Sequence, residues 1–350
     1  MSDAASPQGA AGALAASSTP YAGLTPHAVL DALDAVGLRG DGRILQLNSY
    51  ENRVFQVALE DGRFVVAKFY RAARWEDAQI LEEHGFARAL AAAEVPVVAP
   101  LSLTSVDAHT AVLGEHRTLA RHGGWRFAVS PRCAGRAPEL EDAETLQWIG
   151  RFLARIHQVG QREAFTHRPR LDGTAAARAS VHWLLEGSVL PADSAGGWHR
   201  MAARALDQAD AVFDEAAGWQ ALRLHGDCHV GNLLWRDGPH FVDLDDCVTG
   251  PAVQDLWMLL GGDRAEQTAQ LAALVDGYEQ LRDFDRRELR LIEALRTLRI
   301  VQHSAWIARR WQDPAFPIAF PSFESPAYWS QQTTLLAEQV DAMASPALVV

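Results

Sequence analysis

The sequence predicts an α+β protein of two lobes with a cleft between them, and three observations carry that expectation. The first third alternates apolar and polar residues as strands do, with an Asp61-Gly62 turn between two β-branched runs. From about Leu140 onward apolar residues recur at helical spacing instead. Strand-like pieces return only between Leu222 and Val248, around the densest polar cluster in the chain. A β-rich lobe followed by a mostly helical one buries its apolar faces in separate cores, and the seam between them forms a cleft.

Taken in order, residues 1 to about 22 are rich in Ala, Ser, Gly and Pro and predict a flexible tail. T-P-H-A-V-L-D-A-L-D-A-V-G-L, from Thr25, opens on a capping Thr followed by Pro and predicts a short helix ending near Gly37. R-I-L-Q-L, R-V-F-Q-V-A-L and R-F-V-V-A-K-F read as strands, with N-S-Y-E-N joining the first two. On the third, Phe64, Val66 and Lys68 share one face and Val65, Ala67 and Phe69 the other. A helix over W-E-D-A-Q-I-L-E-E-H-G-F-A-R-A-L-A-A-A-E follows, then two or three strands within residues 97–130. The lobe boundary is expected near residues 130–136, giving an N-lobe over 23–132 and a C-lobe over 133–345. Early in the C-lobe, Leu146, Ile149, Leu153 and Ile156 form one apolar helical stripe.

Composition narrows the function classes. With 48% hydrophobic and 22% charged residues in a chain of 350, the protein has the make-up of a soluble globular fold. A net charge of -12 argues against a general binder of nucleic acid or anionic membrane, whose phosphates attract basic surfaces. No apolar run approaches the roughly 18 residues needed to span a bilayer. The first basic residue is Arg39, so no secretory signal is expected. Cys133, Cys228 and Cys247 show no metal-ligand spacing, which fits a reduced cytoplasmic protein, expected to act as a monomer.

Of the 32 Lys and Arg residues, only Lys68 is a lysine, and it lies within the apolar run V-V-A-K-F-Y. Strands deplete lysine, and an ammonium is a compact point charge where a guanidinium is a broad fork. Lys68 is therefore a candidate for a role that an arginine could not fill. The polar cluster H-G-D-C-H-V-G-N sets Asp227 five residues before Asn232, the spacing of a kinase catalytic loop. A carboxylate there can orient a hydroxyl and accept its proton, and an amide oxygen can bind Mg²⁺ without repelling phosphate. Beyond it, Phe241-Val242 leads into Asp243 at the end of an apolar strand, where a second, metal-chelating carboxylate belongs.

These motifs resemble the aminoglycoside phosphotransferase-like branch of the protein kinase-like fold, which carries H-G-D-x-H-x-x-N, then I/V-D near a D-L. Within that branch the chain resembles the bacterial stress response kinase A family of Ser/Thr protein kinases. The stretches that carry the likeness are N-S-Y-E-N-R-V, V-V-A-K-F-Y-R, I-L-E-E-H, R-L-H-G-D-C-H, F-V-D-L-D-D and G-P-A-V-Q-D-L-W-M-L-L, in order from about residue 25 to 340. The resemblance implies a phosphotransferase using ATP and Mg²⁺, with a protein Ser/Thr hydroxyl as acceptor. It implies Asp227 as catalytic base, Asn232 and Asp243 as Mg²⁺ ligands, Asp243 sharing in catalysis, and Lys68 on the α/β-phosphates. Glu83 is implied as the partner of Lys68, with Glu82 as the alternative, and Ser49 as part of the phosphate-covering turn. His225 and Asp255 would brace the catalytic loop from behind.

Two departures leave the acceptor open. N-S-Y-E-N contains no glycine, unlike the G-x-G-x-x-G loop of typical protein kinases, so side chains such as Ser49 must do more of the cradling. His229 stands where typical Ser/Thr protein kinases have a lysine, and small-molecule phosphotransferases share that histidine. A small-molecule hydroxyl kinase and a catalytically silent nucleotide-binding module are the alternative readings. Elsewhere the plainer reading leads: His157 as a core histidine rather than a catalytic one, Cys228 as a buried thiol rather than a redox switch, Asp245 and Asp246 as solvated loop acids rather than supports of the metal site, and W-I-A-R-R-W-Q-D-P as a helix packing its tryptophans rather than an acceptor-binding surface.

Overall fold

The computed structural model describes residues 20–350, so most of the tail assigned to residues 1–22 lies outside the described residues. Helix α1 (Pro26–Asp34) begins where Thr25 Oγ1 accepts from the Ala28 amide at 3.2 Å, with Pro26 at the first helical position. Strands β1 (Gly40–Leu47), β2 (Arg53–Leu59) and β3 (Phe64–Phe69) form an antiparallel meander. Asp61 fixes the second turn by accepting from the Arg63 amide at 3.0 Å, and Gly62 takes the left-handed φ of 85° that the turn needs. Helix α2 (Asp77–Ala92) crosses to β4 (Ala111–Leu113), β5 (Leu119–His122) and β6 (Trp125–Pro131). The six strands pair antiparallel in the order β1-β2-β3-β6-β5-β4, which sets β3 in the middle of the sheet.

The alternation of β3 decides the site. Val65, Ala67 and Phe69 point into a core with Val29, Leu33, Val57, Phe127 and Val129, where α1 seals one face of the sheet. Lys68 therefore points from the opposite face, between Val54 on β2 and Ala128 on β6.

The C-lobe starts with α3 (Ala143–Gly160), whose Leu146, Ile149, Leu153 and Ile156 are all buried. Helices α4 (Ala175–Glu186) and α5 (Ala192–Glu215) precede four short strands: β7 (Leu222–Leu224), β8 (Leu233–Trp235), β9 (Pro239–Phe241) and β10 (Val248–Gly250). They pair as two small antiparallel ladders, β8 with β9 and β7 with β10, and so present their connecting loops at the cleft. Helices α6 (Gln254–Trp257), α7 (Arg264–Tyr278), α8 (Ile292–Arg309), α9 (Ala315–Ala319) and α10 (Pro326–Ala344) complete the lobe. Trp198 of α5 meets Trp329 of α10 edge-to-face at 5.4 Å inside the core, contributing about 1 kcal/mol beyond the buried area. Where α3 crosses α7, a Cβ on Gly150 would stand 2.0 Å from the Leu274 carbonyl oxygen, so only glycine allows that approach. No helix among the described residues is long and apolar enough to cross a membrane.

Candidate active site

The lobes enclose a cavity of about 1120 Å³. On its N-lobe wall, Lys68 Nζ lies 2.9 Å from Asp243 Oδ1 and 3.5 Å from both Glu83 Oε1 and Asp245 Oδ1. Burial opposes the charge on this ammonium, yet the three carboxylates outweigh it and hold its pKa well above the ordinary value. Glu83, on the inner face of α2, is pushed up to about 7 by burial despite the attraction of Lys68. Asp245 goes the other way: burial would raise it, but Lys68, Arg74 and Arg168 hold it well below the usual carboxylate range. Arg74 Nη1 donates to Asp245 at 2.6 Å and Asn52 Nδ2 at 3.1 Å, so Asp245 has the donors that favour its charged form.

Opposite stands the loop between β7 and β8. Asp255, fully buried at the start of α6, accepts from the amides of His225 and Gly226 at 2.8 Å each and lies 3.1 Å from His157 Nε2. His157 is anchored in turn by the Tyr278 hydroxyl at 2.8 Å, and burial lowers its pKa against the pull of Asp255. It is a core histidine, as its place on the apolar stripe of α3 predicts. The His225 ring reaches the Val242 carbonyl at 2.9 Å and so links this loop to the one carrying Asp243. Gly226 has φ of 85°, and a Cβ there would sit 2.2 Å from the Asp246 carbonyl oxygen. The loop is thus pinned from behind by backbone bonds, which frees the side chains of Asp227 and Asn232 to line the cavity.

Asp227 Oδ1 accepts from Arg299 Nη1 at 2.7 Å, and its Oδ2 is 3.4 Å from His229 Nε2. Burial would raise this carboxyl, but the His229 hydrogen bond and the Arg299 charge leave it well below the usual range. Asn232 Nδ2 donates to the Asp227 carbonyl at 3.0 Å. Asp243 has the left-handed φ of 58° and ψ of 67°, a strained conformation for a non-glycine residue that starts the 3₁₀ turn Leu244–Asp246. Burial pushes the Cys228 thiol well up, as befits a small apolar side chain beside Asp227.

The cavity brings Ser49, Lys68, Glu83, Asp227, Asn232 and Asp243 onto its lining together. Glu82, the alternative to Glu83, faces elsewhere: it accepts from the amides of Thr166, His167 and Arg168, the last two at 2.8 Å. Asp245 departs from expectation, being 3% exposed and ringed by cations rather than solvated. Asp246 keeps a half-exposed side chain and accepts from Arg74 Nη2 at 2.5 Å. Trp306 also does more than pack, lining the cavity and donating to Glu51 Oε2 at 2.7 Å. Sequence reasoning missed Asn52, Arg74 and Arg299. The spacing Leu295, Arg299, Gln302, Trp306 on one helix face was the available signal for the last. Among the described residues no three His, Cys, Asp or Glu side chains gather as a metal cage. Asp243 and Asn232 nevertheless offer the hard oxygens that Mg²⁺ takes when substrate oxygens and water complete its shell.

Comparison with known proteins gives the family and the fold. The model of the "Phosphotransferase enzyme family" matches residues 43–292. Stress response kinase A of Escherichia coli K12 is 44% identical over 329 residues, covering 93% of this chain and 95% of that protein. A relative from Salmonella typhimurium LT2 named serine/threonine protein kinase RdoA is 43% identical over 327 residues, with the same coverage. Among solved structures, the amicoumacin kinase complex with AMP-PNP and Ca²⁺ superposes with a TM-score of 0.67 at 18% identity, covering 90% of this chain and 93% of that one. A microcompartment-associated aminopropanol kinase gives 0.65 at 16%, covering 91% and 98%. The expected two-lobed kinase-like α+β fold is therefore the observed one, and the chain belongs to the phosphotransferase enzyme family, as a close relative of the stress response kinase A proteins.

Proposed function

We propose that the protein is an ATP- and Mg²⁺-dependent kinase that transfers the γ-phosphoryl group to a Ser or Thr hydroxyl of a protein. The observation that carries this reading is the convergence of Lys68, Asp243, Asn232 and Asp227 from opposite walls on one cavity. Asp227 orients the acceptor hydroxyl and takes its proton. Lys68, positioned by Glu83, meets the α- and β-phosphates, and Ser49 lies over them in the turn between β1 and β2. Asn232 and Asp243 hold Mg²⁺, which when bound neutralises phosphate charge. Phosphoryl transfer asks mainly for alignment and charge neutralisation, and this residue set supplies both. A cytoplasmic location belongs to the same reading, since Cys133, Cys228 and Cys247 are all free thiols.

The protein acceptor rests on the name of the Salmonella relative, a serine/threonine protein kinase. A second reading, a small-alcohol kinase, is favoured by His229 at the catalytic loop and by the fold shared with the amicoumacin and aminopropanol kinases. The deciding experiment incubates the protein with labelled ATP and Mg²⁺, alone, with a generic protein substrate, and with a panel of amino alcohols, sugars and antibiotics. Label on protein is expected. Label confined to a small alcohol overturns the protein acceptor.

A further inference from the structure

Helix α8 turns Leu295, Leu298, Arg299, Gln302, His303 and Trp306 toward the cavity, one face repeating every three to four residues. Arg299 occupies the position nearest Asp227, 2.7 Å from Oδ1, while its side chain remains 45% exposed. Among the described residues its Nε and Nη2 make no protein hydrogen bond; the bonds it does make, to Asp227 and to the Met258 sulfur at 4.0 Å, both come from Nη1.

As a structural ion pair this contact is poorly chosen. With the Arg299 side chain 45% exposed, the pair contributes little to stability. It also occupies the oxygen of the residue that should accept the acceptor's proton. The pairing makes sense if the guanidinium serves the reaction. Other arginines on the cavity wall are committed: Arg74 holds Asp245 and Asp246, and Arg170 holds Asp172 at 2.7 Å. Lys68 works from the far wall beside Asp243. Arg299 is the cation standing beside the base itself.

We propose that Arg299 is a catalytic residue, an arginine supplied in cis from α8 that stabilises the charge on the phosphoryl group in transit and keeps Asp227 aimed between turnovers. The assignment rests on Asp227 acting as the base. In the step, the acceptor O–H proton passes to the Asp227 carboxylate and the acceptor oxygen forms its bond to Pγ. The bond from Pγ to the bridging oxygen breaks, and its electron pair leaves with ADP. Arg299 exchanges no proton. As the acceptor hydroxyl takes over Oδ1, one arm of the fork stays near the carboxylate and the other meets an equatorial phosphoryl oxygen, a bridging that lysine cannot reproduce.

The test compares the parent with Arg299→Ala and Arg299→Lys in three measurements: phosphoryl transfer to the labelled acceptor and to water, affinity for AMP-PNP, and affinity for ADP with aluminium fluoride, which mimics the phosphoryl group in flight. For Arg299→Ala the expected fall in kcat is about 100- to 1,000-fold, with AMP-PNP affinity within about twofold and the preference for ADP–aluminium fluoride over ADP lost by a similar factor. Arg299→Lys should recover only part of the rate. Its intact AMP-PNP binding shows that the fold survives. Unchanged turnover, faster turnover (which would make the pair a lock on the base) or an equal loss of AMP-PNP affinity each overturn the assignment. A parent that binds AMP-PNP yet transfers to no acceptor, water included, sinks the kinase reading itself. An active parent with an indifferent Arg299→Ala sinks this assignment alone.

Discussion

Replacing Lys68 by methionine keeps most of the apolar stem and removes the ammonium, leaving Glu83, Asp243 and Asp245 facing one another across the former site of Nζ. A charge pair about 3 Å apart is worth about 5 kcal/mol at an effective dielectric near 20, before the cost of burying the lysine is subtracted. Loss of one partner from a buried cluster costs about 3–5 kcal/mol, and that is the destabilisation expected at pH 8. The cost should depend on pH, and its sign follows from Glu83. In the fold this carboxyl sits at about 7 against an ordinary 4.5, so it weakens the fold above pH 7 and the penalty fades as pH falls toward 4.5. Without Lys68 its pKa rises further, so at pH 5 the variant protonates Glu83 and relieves part of the repulsion. Because Glu83 sits at about 7 in the parent, only about one pH unit of this linkage lies below pH 8, so the destabilisation should shrink by up to about 1.4 kcal/mol between pH 8 and pH 5. Urea unfolding of parent and variant at both pH values measures this directly. Equal destabilisation at the two values would refute the coupling, and none at pH 8 would refute the cluster.

Asp227→Asn should leave nucleotide affinity within about twofold while lowering phosphoryl transfer by about 100- to 10,000-fold; unchanged turnover would remove Asp227 from the base role. Asn232→Ala should raise the Mg²⁺ concentration needed for half-maximal activity by about tenfold, and superimposable metal titrations would count against it as a ligand. Asp255→Asn sets an amide NH₂ against one of the two backbone N–H groups that the carboxylate now accepts, at a cost of about 2–4 kcal/mol in urea unfolding. Faster hydrogen exchange at the amides of His225 and Gly226 should accompany that loss; parent-like exchange would mean that Asp255 does not brace the loop.

Local rules made much of this site legible. The alternation of β3 fixes the face on which Lys68 projects, and the Asp-to-Asn spacing fixes the loop that carries Asp227 and Asn232. Glu83 could be preferred to Glu82 because Ile80, Glu83, Ala87 and Leu90 share a helix stripe, and all four are indeed buried. Contacts without a short sequence period stayed hidden. Arg74 meets Asp245 from 171 residues away and Arg299 meets Asp227 across 72, so although helical spacing could place Arg299 on one face of α8, no local pattern names the partner of either arginine. Asp245 misled for the same reason: a carboxylate in a run of acids reads as solvated until distant cations close around it.

The glycine-free turn N-S-Y-E-N shows how those distant contacts replace a local device. A Gly-rich loop can wrap phosphate because its backbone is free of side chains, and that freedom must be offset by ordering when ligand binds. Here the turn is held from the C-lobe instead. Tyr50 leans on Phe316 and Phe320 with ring centroids 6.3 and 5.7 Å away. Glu51 lies 2.6 Å from Arg310 Nε and accepts from the Trp306 indole at 2.7 Å. Asn52 ties Asp245 to the Arg71 amide, and Arg71 itself reaches Asp313 at 2.6 Å. Ser49 thus rides on a turn whose neighbours are fastened to α8, α9 and the loop after Asp243. Both lobes fix its position, and the ordering that a glycine loop defers to binding is already built into the fold.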